Sequence, residues 1–219
     1  MEVFIKALWI TSAITGGLLF FWLFPLKLLS RLAARLGKSA PCPASLGWLV
    51  NNPIRRRYMR AVLDRVGIRP GERVLELGPG PGTLTVDAAR RVGQEGRLIA
   101  VDIQSEMITQ VEKCIQEAGL TNVEMHVANA YDLPLDAGSV DRAFLVTVLP
   151  EIPDQARALA ELRRVLKQGG ALSITEEFLD PDYLFASETV RRVEAAGFSL
   201  EHRFGNLWLY TVNFKKEER

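Results

Sequence analysis

The sequence predicts an α/β protein with a doubly wound, mostly parallel sheet of seven strands, preceded by an N-terminal transmembrane or interfacial helix. Apolar runs alternate with helical patterns along most of the chain, and alternation of this kind favours parallel pairing of the strands. The runs are also uninterrupted, as in Leu98-Ile99-Ala100-Val101, which is typical of strands that are buried on both faces. An uncharged stretch of twenty residues at 7–26 predicts the N-terminal helix.

The predicted elements follow one another in a regular order. Strands are predicted at Arg73–Leu77, Arg97–Asp102, Asn122–Val127, Val140–Val146 and Ala171–Glu176. Helices are predicted at Ile54–Val66, Thr83–Val92, Ser105–Ala118, Asp154–Lys167 and Leu184–Ala196. A closing β-hairpin joins Leu200–Phe204 to Leu207–Phe214 through Gly205-Asn206. We divide the chain into an anchor with a basic amphipathic helix (1–38), a linker with an N-terminal helical cap (39–70) and an α/β domain (71–219).

Composition and charge limit the classes of function. The 219 residues include only two cysteines and two histidines, so we expect neither a disulfide framework nor a metal site. The net charge of +1 hides an asymmetry, because residues 1–60 carry nine Lys and Arg against Glu2 alone. The remaining residues hold 18 basic and 25 acidic side chains. An acidic body argues against nucleic-acid binding, whereas a basic front suits a membrane surface.

The N-terminal segment has the length and the flanks of a membrane anchor. At ~1.5 Å per residue, the twenty residues of 7–26 span ~30 Å, about the thickness of the hydrocarbon core of a bilayer. Trp9 and Trp22 lie near the two ends, and leucines at helical spacing alternate with basic residues over 26–38. Because basic flanks mark the cytoplasmic side, we expect the α/β domain in the cytoplasm. A cleaved signal peptide and a buried soluble helix are the alternatives.

A glycine-rich loop after the first predicted strand indicates a nucleoside site. Its glycines are Gly78, Gly80 and Gly82. Glycine lets the backbone approach a ligand, and the helix that follows offers free N–H groups. Asp102 ends the second predicted strand, where a carboxylate can accept both ribose hydroxyls of an adenosine. Thr83 stands where a dinucleotide fingerprint has its third glycine, and the charge of Glu76 repels a pyrophosphate but favours an ammonium or sulfonium.

Taken together, these motifs resemble the class I S-adenosylmethionine-dependent methyltransferases, in the branch that acts on quinones, small molecules and phospholipids. VLELGPGPG (74–82) is similar to their first motif, and AVDIQSEM (100–107) to their acidic-strand motif. Residues 128–154 resemble the adenine segment with the fourth strand, and LRRVLKQGGALSITE (162–176) resembles the helix-turn-strand that follows. The likeness covers roughly Ile68 to Phe214. It implies a Rossmann-like methyltransferase fold with S-adenosylmethionine as the cofactor.

The resemblance implies which residues contact the methionine half of the cofactor. Gly78 and Gly80 are expected to contact the methionine part, and Gly82 to leave space beside it. Glu76 is expected to hold the amino group. Thr147, at the end of the fourth strand, is expected to face the methionine and methyl region.

The resemblance also implies which residues contact the adenosine half. Asp102 is expected to hold the ribose, and Ile103 to lie on the adenine. Asn129 stands where relatives commonly have Asp, and its carbonyl can still accept a hydrogen bond from the adenine amino group. Ala130 is expected to contribute its backbone.

The sequence offers few candidates for a residue that transfers a proton. Many relatives carry a histidine-containing segment after the fourth strand, where this sequence has Pro150-Glu151. Glu151 and Tyr131 are the candidate general bases near the methyl group, needed only if the acceptor is protonated at rest. Glu176 and Glu177, at the end of the fifth predicted strand, are candidate walls of the acceptor pocket or surface residues.

The sequence thus predicts a membrane-associated methyltransferase with a lipophilic acceptor. A phospholipid head-group amine and an isoprenoid quinone-like ring are the two acceptors to weigh. An NAD-dependent oxidoreductase and a non-catalytic membrane adaptor that binds S-adenosylmethionine are the alternatives. The oligomeric state does not follow from the sequence.

Overall fold

The computed structural model describes Lys6, residues 9–12 and 14–17, and residues 53–217. Residues 9–12 and 14–17 are helical and exposed. Within the described ranges, no helix has both the length and the apolar character needed to cross a bilayer. Most of the segment predicted to do so, 7–26, and the whole basic helix that follows it lie outside the described residues. The membrane anchor therefore stays a prediction.

Strands and helices alternate through the described body of the chain. Its helices are α1 (Pro53–Val66), α2 (Thr85–Val92), α3 (Ser105–Glu117), α4 (Gln155–Val165) and α5 (Ala186–Ala195), with a short 3₁₀ helix at Leu149–Glu151. Its strands are β1 (Arg73–Leu77), β2 (Arg97–Asp102), β3 (Val123–Val127), β4 (Val140–Val146), β5 (Leu166–Glu177), β6 (Phe198–Gly205) and β7 (Leu209–Lys216).

The strands form one mixed sheet of seven in the order β3-β2-β1-β4-β5-β7-β6. The first five strands pair in parallel, and β7 is antiparallel to both of its neighbours, β5 and β6. Strands β3 and β6 are the two edges. The predicted doubly wound, mostly parallel sheet of seven strands is confirmed.

Helices cover both faces of the sheet, because alternate strand residues point to opposite sides. On one face, Met59 and Leu63 of α1 pack with Val74 and Phe144 in a buried cluster. On the other, Leu159 of α4 packs in a cluster with strand residues such as Leu75, Ile99 and Leu145. The central strands are therefore buried on both sides, which explains their uninterrupted apolar runs.

Polar contacts fix both ends of α1 against the sheet. Near its start, Arg55 Nε lies 3.0 Å from Glu177 Oε2, and the Tyr58 hydroxyl donates to the same carboxylate. At its end, Arg142 donates to the Val66 carbonyl oxygen at 2.9 Å. Glu177 ends β5, whereas Arg142 lies near the start of β4. Helix α1 therefore begins at the carboxyl edge of the sheet and runs to the amino edge.

Several predicted element ends are wrong by a few residues. Helix α2 begins at Thr85 instead of Thr83, because the turn after the glycine loop extends through Leu84. Helix α4 ends at Val165 instead of Lys167, because Leu166 already pairs with Val140 and opens β5. Strand β6 is longer than predicted at both ends, and β7 begins at Leu209 instead of Leu207 and continues to Lys216, because their ladder runs from Gly205 paired with Tyr210 back to Phe198 paired with Lys216.

Candidate functional site

The sheet topology defines where a ligand is expected. Strand β1 lies at the centre of the five parallel strands, with β2 and β3 on one side and β4 and β5 on the other. The chain therefore leaves β1 in one direction and later returns to build the other half. In open parallel sheets, ligands bind in the crevice beyond the carboxyl ends of the strands at this switch point. The loops after β1, β2, β4 and β5 surround that crevice.

The glycine loop adopts a backbone that other residues would resist. Gly78, Gly80 and Gly82 have φ values of +70°, +55° and +81°. A Cβ on Gly78 would lie 2.5 Å from Val148 Cγ2, so only glycine lets the loop pack against the segment that follows β4. A Cβ on Gly80 would have no atom within 4 Å, so the loop faces open space there. These positions fit a backbone that approaches a ligand.

Glu76 lies beneath the glycine loop as a buried carboxylate. Its side chain is only 4% exposed, and Oε2 has no hydrogen-bond partner among the described residues. Burial raises the pKa of Glu76 to about 8, with a further increase from the nearby Asp102 carboxylate and an opposing effect of Thr85. A buried carboxylate oxygen without a partner is costly unless a cation or donor meets it. The site is therefore suited to a positively charged group such as an ammonium.

Asp102 connects the end of β2 to the glycine loop. Its carboxylate accepts hydrogen bonds from the backbone N–H of Gln104 at 3.0 Å and of Gly80 at 3.3 Å. Burial raises the pKa of Asp102, and these backbone hydrogen bonds oppose that rise. The next residue, Ile103, is 54% exposed beside it. An acidic acceptor and an exposed apolar surface thus adjoin the loop, where a ribose and a base were predicted.

The segment predicted to contact adenine joins the same edge. The N–H of Ala128 donates to the Asp102 carbonyl oxygen at 3.0 Å, so the chain after β3 lies against the end of β2. Asn129 is exposed, and its Oδ1 accepts from the N–H of Tyr131 at 3.1 Å in a tight turn. The half-buried Ala130 lies within that turn. The structure brings these residues next to Asp102.

Thr147 marks a strained turn at the end of β4. Its φ is 55°, and it is the one non-glycine residue with positive φ in the described part of the chain. Its N–H donates to the Thr175 carbonyl oxygen at 2.8 Å, which holds the turn against β5. A β-branched residue is unfavourable in this conformation, and such strain is concentrated at functional sites. Val148 follows and packs against Gly78.

The two candidate general bases lie in different surroundings. The Tyr131 oxygen accepts from the N–H of Asp154 at 2.8 Å, and the Arg157 guanidinium lies 5.0 Å from the ring centroid. Tyr131 therefore holds the start of α4. Glu151, on the 3₁₀ helix, is half-buried and lies close enough to Glu176 to raise its pKa.

The two acids that end β5 separate in the structure. Glu177 turns to α1, where Arg55 and Tyr58 bind it. Glu176 points to the opposite face; it is completely buried, and neither of its oxygens has a hydrogen-bond partner among the described residues. Burial raises the pKa of Glu176 well above its usual range, and Asp180, Glu151 and Asp182 add to this effect.

Sequence reasoning missed Asp180, Asp182 and the buried ring of Tyr183 as neighbours of Glu176. They lie in the loop between β5 and α5, which has no periodicity that predicts its path. The acid-rich composition of that loop is the one signal that could have drawn attention to it. Within the described ranges, these acids included, no three His, Cys, Asp or Glu side chains come together as a metal site.

Comparisons with known proteins identify the class. Residues 74–170 match the family model of a methyltransferase domain. The chain is 36% identical over 129 residues to the ubiquinone/menaquinone biosynthesis C-methyltransferase of Vibrio vulnificus. This match covers 58% of this chain and 50% of that protein. It is 39% identical over 150 residues to a 37.1 kDa protein in transposon TN4556 of Streptomyces fradiae, covering 68% of this chain and 43% of that protein. The chain thus spans about half the length of the curated relatives that it matches.

A solved structure agrees on the fold. The crystal structure of an S-adenosylmethionine-dependent methyltransferase from Aquifex aeolicus superposes with a TM-score of 0.74 at 24% identity, over 80% of this chain and 99% of that one. The fold is therefore the Rossmann-like methyltransferase fold. Residues 74–170 match a methyltransferase domain, and this match together with the relatives supports S-adenosylmethionine as the cofactor. The predicted class and cofactor are confirmed, and the alternative of an NAD-dependent oxidoreductase is not supported.

Proposed function

We propose that the protein is a membrane-associated methyltransferase that moves the methyl group of S-adenosylmethionine to a lipophilic acceptor, either a phospholipid head-group amine or an isoprenoid quinone-like ring. One observation carries the proposal: the glycine loop opens at the same edge of the sheet as a patch of exposed apolar side chains.

The residues around the glycine loop fit the cofactor. The unpartnered Oε2 of Glu76 suits the ammonium of the methionine part, and the open space at Gly80 leaves room for its backbone. Asp102 suits the ribose hydroxyls, and Ile103 offers an apolar surface for the adenine. When bound, S-adenosylmethionine supplies a methyl group that is already activated by a sulfonium. The protein is then needed mainly to orient the acceptor and exclude water.

The turn after β4 suits the task of orientation. The backbone N–H of Thr147 binds β5, and Val148 packs closely against the glycine loop because Gly78 has no side chain. These two contacts fix the wall between the cofactor loop and the end of β5. An acceptor that enters from the β5 side would meet a rigid wall, which favours in-line transfer.

The apolar patch supports a lipophilic acceptor. We call it the edge patch, and it consists of Phe178, Leu179, Phe185, Leu207 and Trp208. Leu179, Phe185, Leu207 and Trp208 are between 43% and 59% exposed, and the Phe178 ring lies 5.0 Å from that of Trp208. The buried ring of Tyr183 joins Phe178 to Phe185, at 5.3 and 5.6 Å. A contiguous exposed patch of large apolar side chains is typical of a surface that meets lipid or another apolar ligand.

The path of the chain supports a membrane orientation. Helix α1 begins at the carboxyl edge, near Glu177, so residues 1–52 join the domain at the edge that carries the site. Those residues include the uncharged stretch at 7–26 and most of the basic residues of the first sixty. An anchor in this position would hold the edge patch against the bilayer. By the same rule of basic flanks, we place the domain on the cytoplasmic side.

Labelled cofactor tests the proposal. Membranes that contain the full chain are incubated with S-adenosylmethionine labelled in its methyl group, and the lipid extract is then counted. We expect label in the lipid extract, and none above background with the Asp102→Ala variant. Label confined to protein or to soluble molecules would refute the lipophilic acceptor. Tight binding of S-adenosylhomocysteine without transfer to any lipid would instead favour the non-catalytic adaptor.

A further inference from the structure

A cavity lies at the amino edge of the sheet, at the opposite end of the parallel strands from the glycine loop. Its volume is about 420 Å³, within the usual range for a site that binds a small molecule. It is bounded by the end of α1 and the loop to β1, by the residues near the start of β4 and β5, and by β6 and β7. The described residues that line it include none of those placed at the cofactor site, so the cavity is a separate feature.

The cavity has a buried floor and an exposed rim. Arg142 of β4 and Asn213 of β7 form its floor, and each is only 9% exposed. Arg69, Lys167 and His202 lie at the rim and are exposed. A ligand can therefore enter from solvent and reach side chains that the sheet holds in place.

The acids in the lining are already paired. Each of the three forms an ion pair with a basic residue of the same lining: Glu72 with Arg142 at 3.0 Å, Asp141 with Lys167 at 2.6 Å and Glu201 with Lys215 at 3.7 Å. Arg65 and Arg69 also line the cavity, and neither pairs with an acid anywhere in the described ranges. The lining therefore holds five Lys or Arg against three Asp or Glu side chains, an excess of two positive charges.

This positive excess differs from the charge of the surrounding domain. Residues 61–219 hold 18 basic and 25 acidic side chains, so the body as a whole is acidic. Unpaired positive charge that is concentrated in a cleft attracts anions. Arginine also presents planar pairs of N–H donors that match the oxygens of a phosphate or a carboxylate. The cavity is therefore suited to an anionic ligand.

Charge and hydrogen bonding together indicate the class of anion. An excess of two positive charges matches a phosphate monoester, which carries about −1.5 to −2 charges at pH 7. Asn213 Nδ2 donates to the Arg65 carbonyl oxygen at 2.7 Å, whereas Asn213 Oδ1 is buried without a hydrogen-bond partner in the described part of the chain. A buried acceptor of this kind requires a donor. A hydroxyl group on the ligand would supply one.

We propose that this cavity binds a small phosphate monoester, with Arg65 and Arg69 on the phosphate and Asn213 on a hydroxyl of the ligand. Binding here is separate from methyl transfer and does not rest on the proposed function. In the membrane orientation proposed above, the amino edge faces away from the bilayer. The ligand is therefore a soluble ester and not a lipid head group.

Calorimetry with purified full-length protein tests the site. The probes are glycerol 3-phosphate, methyl phosphate, glycerol, and phosphatidylcholine vesicles that carry phosphatidic acid. We expect glycerol 3-phosphate to bind, methyl phosphate to bind more weakly because it has no alcohol, and glycerol not to bind. Arg69→Gln should weaken binding of glycerol 3-phosphate by about tenfold, because it removes a charged donor. Glu201→Gln should tighten it, because it removes a negative charge from the lining. Arg191→Gln, which removes an exposed charge from α5, should leave the affinity unchanged.

The outcomes separate this site from the cofactor site. Arg69→Gln and Glu201→Gln should both bind S-adenosylhomocysteine as the parent does, since the cavity lies at the other edge of the sheet. The inference is overturned if glycerol 3-phosphate does not bind at millimolar concentration, or if neither substitution changes its affinity. Equal affinity for methyl phosphate would overturn the role of Asn213. Binding to the vesicles alone, reduced in Arg69→Gln, would overturn the soluble ligand in favour of a lipid phosphate. Each of these results leaves the proposed methyltransferase function intact.

Discussion

Replacing Glu76 by glutamine should make the ligand-free protein more stable and the cofactor site weaker. The pKa of Glu76 is raised to about 8 in the folded protein, against an ordinary value of 4.5. Between those two pH values the unfolded chain has released a proton that the folded protein still holds. The contribution of Glu76 to the free energy of unfolding is therefore fully present below pH 4.5. It is lost as the pH rises to about 8, at roughly 1.4 kcal/mol per pH unit.

The magnitude follows from that slope. At pH 7 the parent has lost roughly 3 kcal/mol that Glu76→Gln, which does not titrate, retains. Conversely, the bound ammonium ionises Glu76, and the charge-assisted hydrogen bond that results contributes about 1.5–3 kcal/mol, less roughly 1.4 kcal/mol to release the proton at pH 7. Glu76→Gln should therefore weaken binding of S-adenosylhomocysteine by up to about tenfold. The two effects have opposite signs, which distinguishes them from general damage to the fold.

The assay measures both quantities in one set of variants. Unfolding by urea is followed by tryptophan fluorescence from pH 5 to pH 8, and affinity for S-adenosylhomocysteine is measured by calorimetry at pH 7. Glu95→Gln serves as the matched control, since it removes the same charge from an exposed turn. The reasoning fails if the stability difference between Glu76→Gln and the parent stays constant across this pH range, or if affinity is unchanged.

Three other perturbations bear on the same edge of the sheet. Asp102→Asn should weaken S-adenosylhomocysteine binding by about tenfold or more, because the ribose would lose a charged acceptor; calorimetry measures it, and unchanged affinity would contradict the assigned contact. Gly78→Ala should lower the free energy of unfolding by about 1–3 kcal/mol, because its Cβ would lie 2.5 Å from Val148 Cγ2 at a φ of +70°. Gly80→Ala, at an open position, should lower it by only about 1 kcal/mol. Equal losses for the two variants in urea titrations would argue against the close approach. Thr147→Gly should raise stability by about 1 kcal/mol by relieving a φ of 55°, and a loss of stability would show that the turn is not strained.

The sequence was most informative where one residue type decides the structure. The apolar runs predicted β1, β2 and β4 to the residue, since strands that are buried on both faces need such runs. Glycines predicted the loop after β1, because each of its three positive φ values needs one. The length of one βαβ unit predicted that Asp102 ends β2.

Other features depend on contacts between distant residues, and these leave no local pattern. The start of β5 at Leu166 depends on its pairing with Val140 across the sheet, and nothing in Lys167-Gln168-Gly169-Gly170 indicates a strand. Glu176 and Glu177 have different contacts because their side chains lie on opposite faces of β5. Their adjacency in sequence suggested a shared role, whereas period-two alternation sends them to opposite sides.

The position of β6 at the rim of the sheet has a consequence for how copies of the protein meet. A terminal strand presents unpaired N–H and C=O groups on its outer side, and these are a template for strand addition from another molecule. Here Glu201, His202 and Arg203 are exposed along β6, and the ladder shifts register between Leu200 and His202. Charge and irregular pairing together oppose intermolecular β-sheet growth at this rim, even though Leu200 and Phe204 are exposed along the same strand.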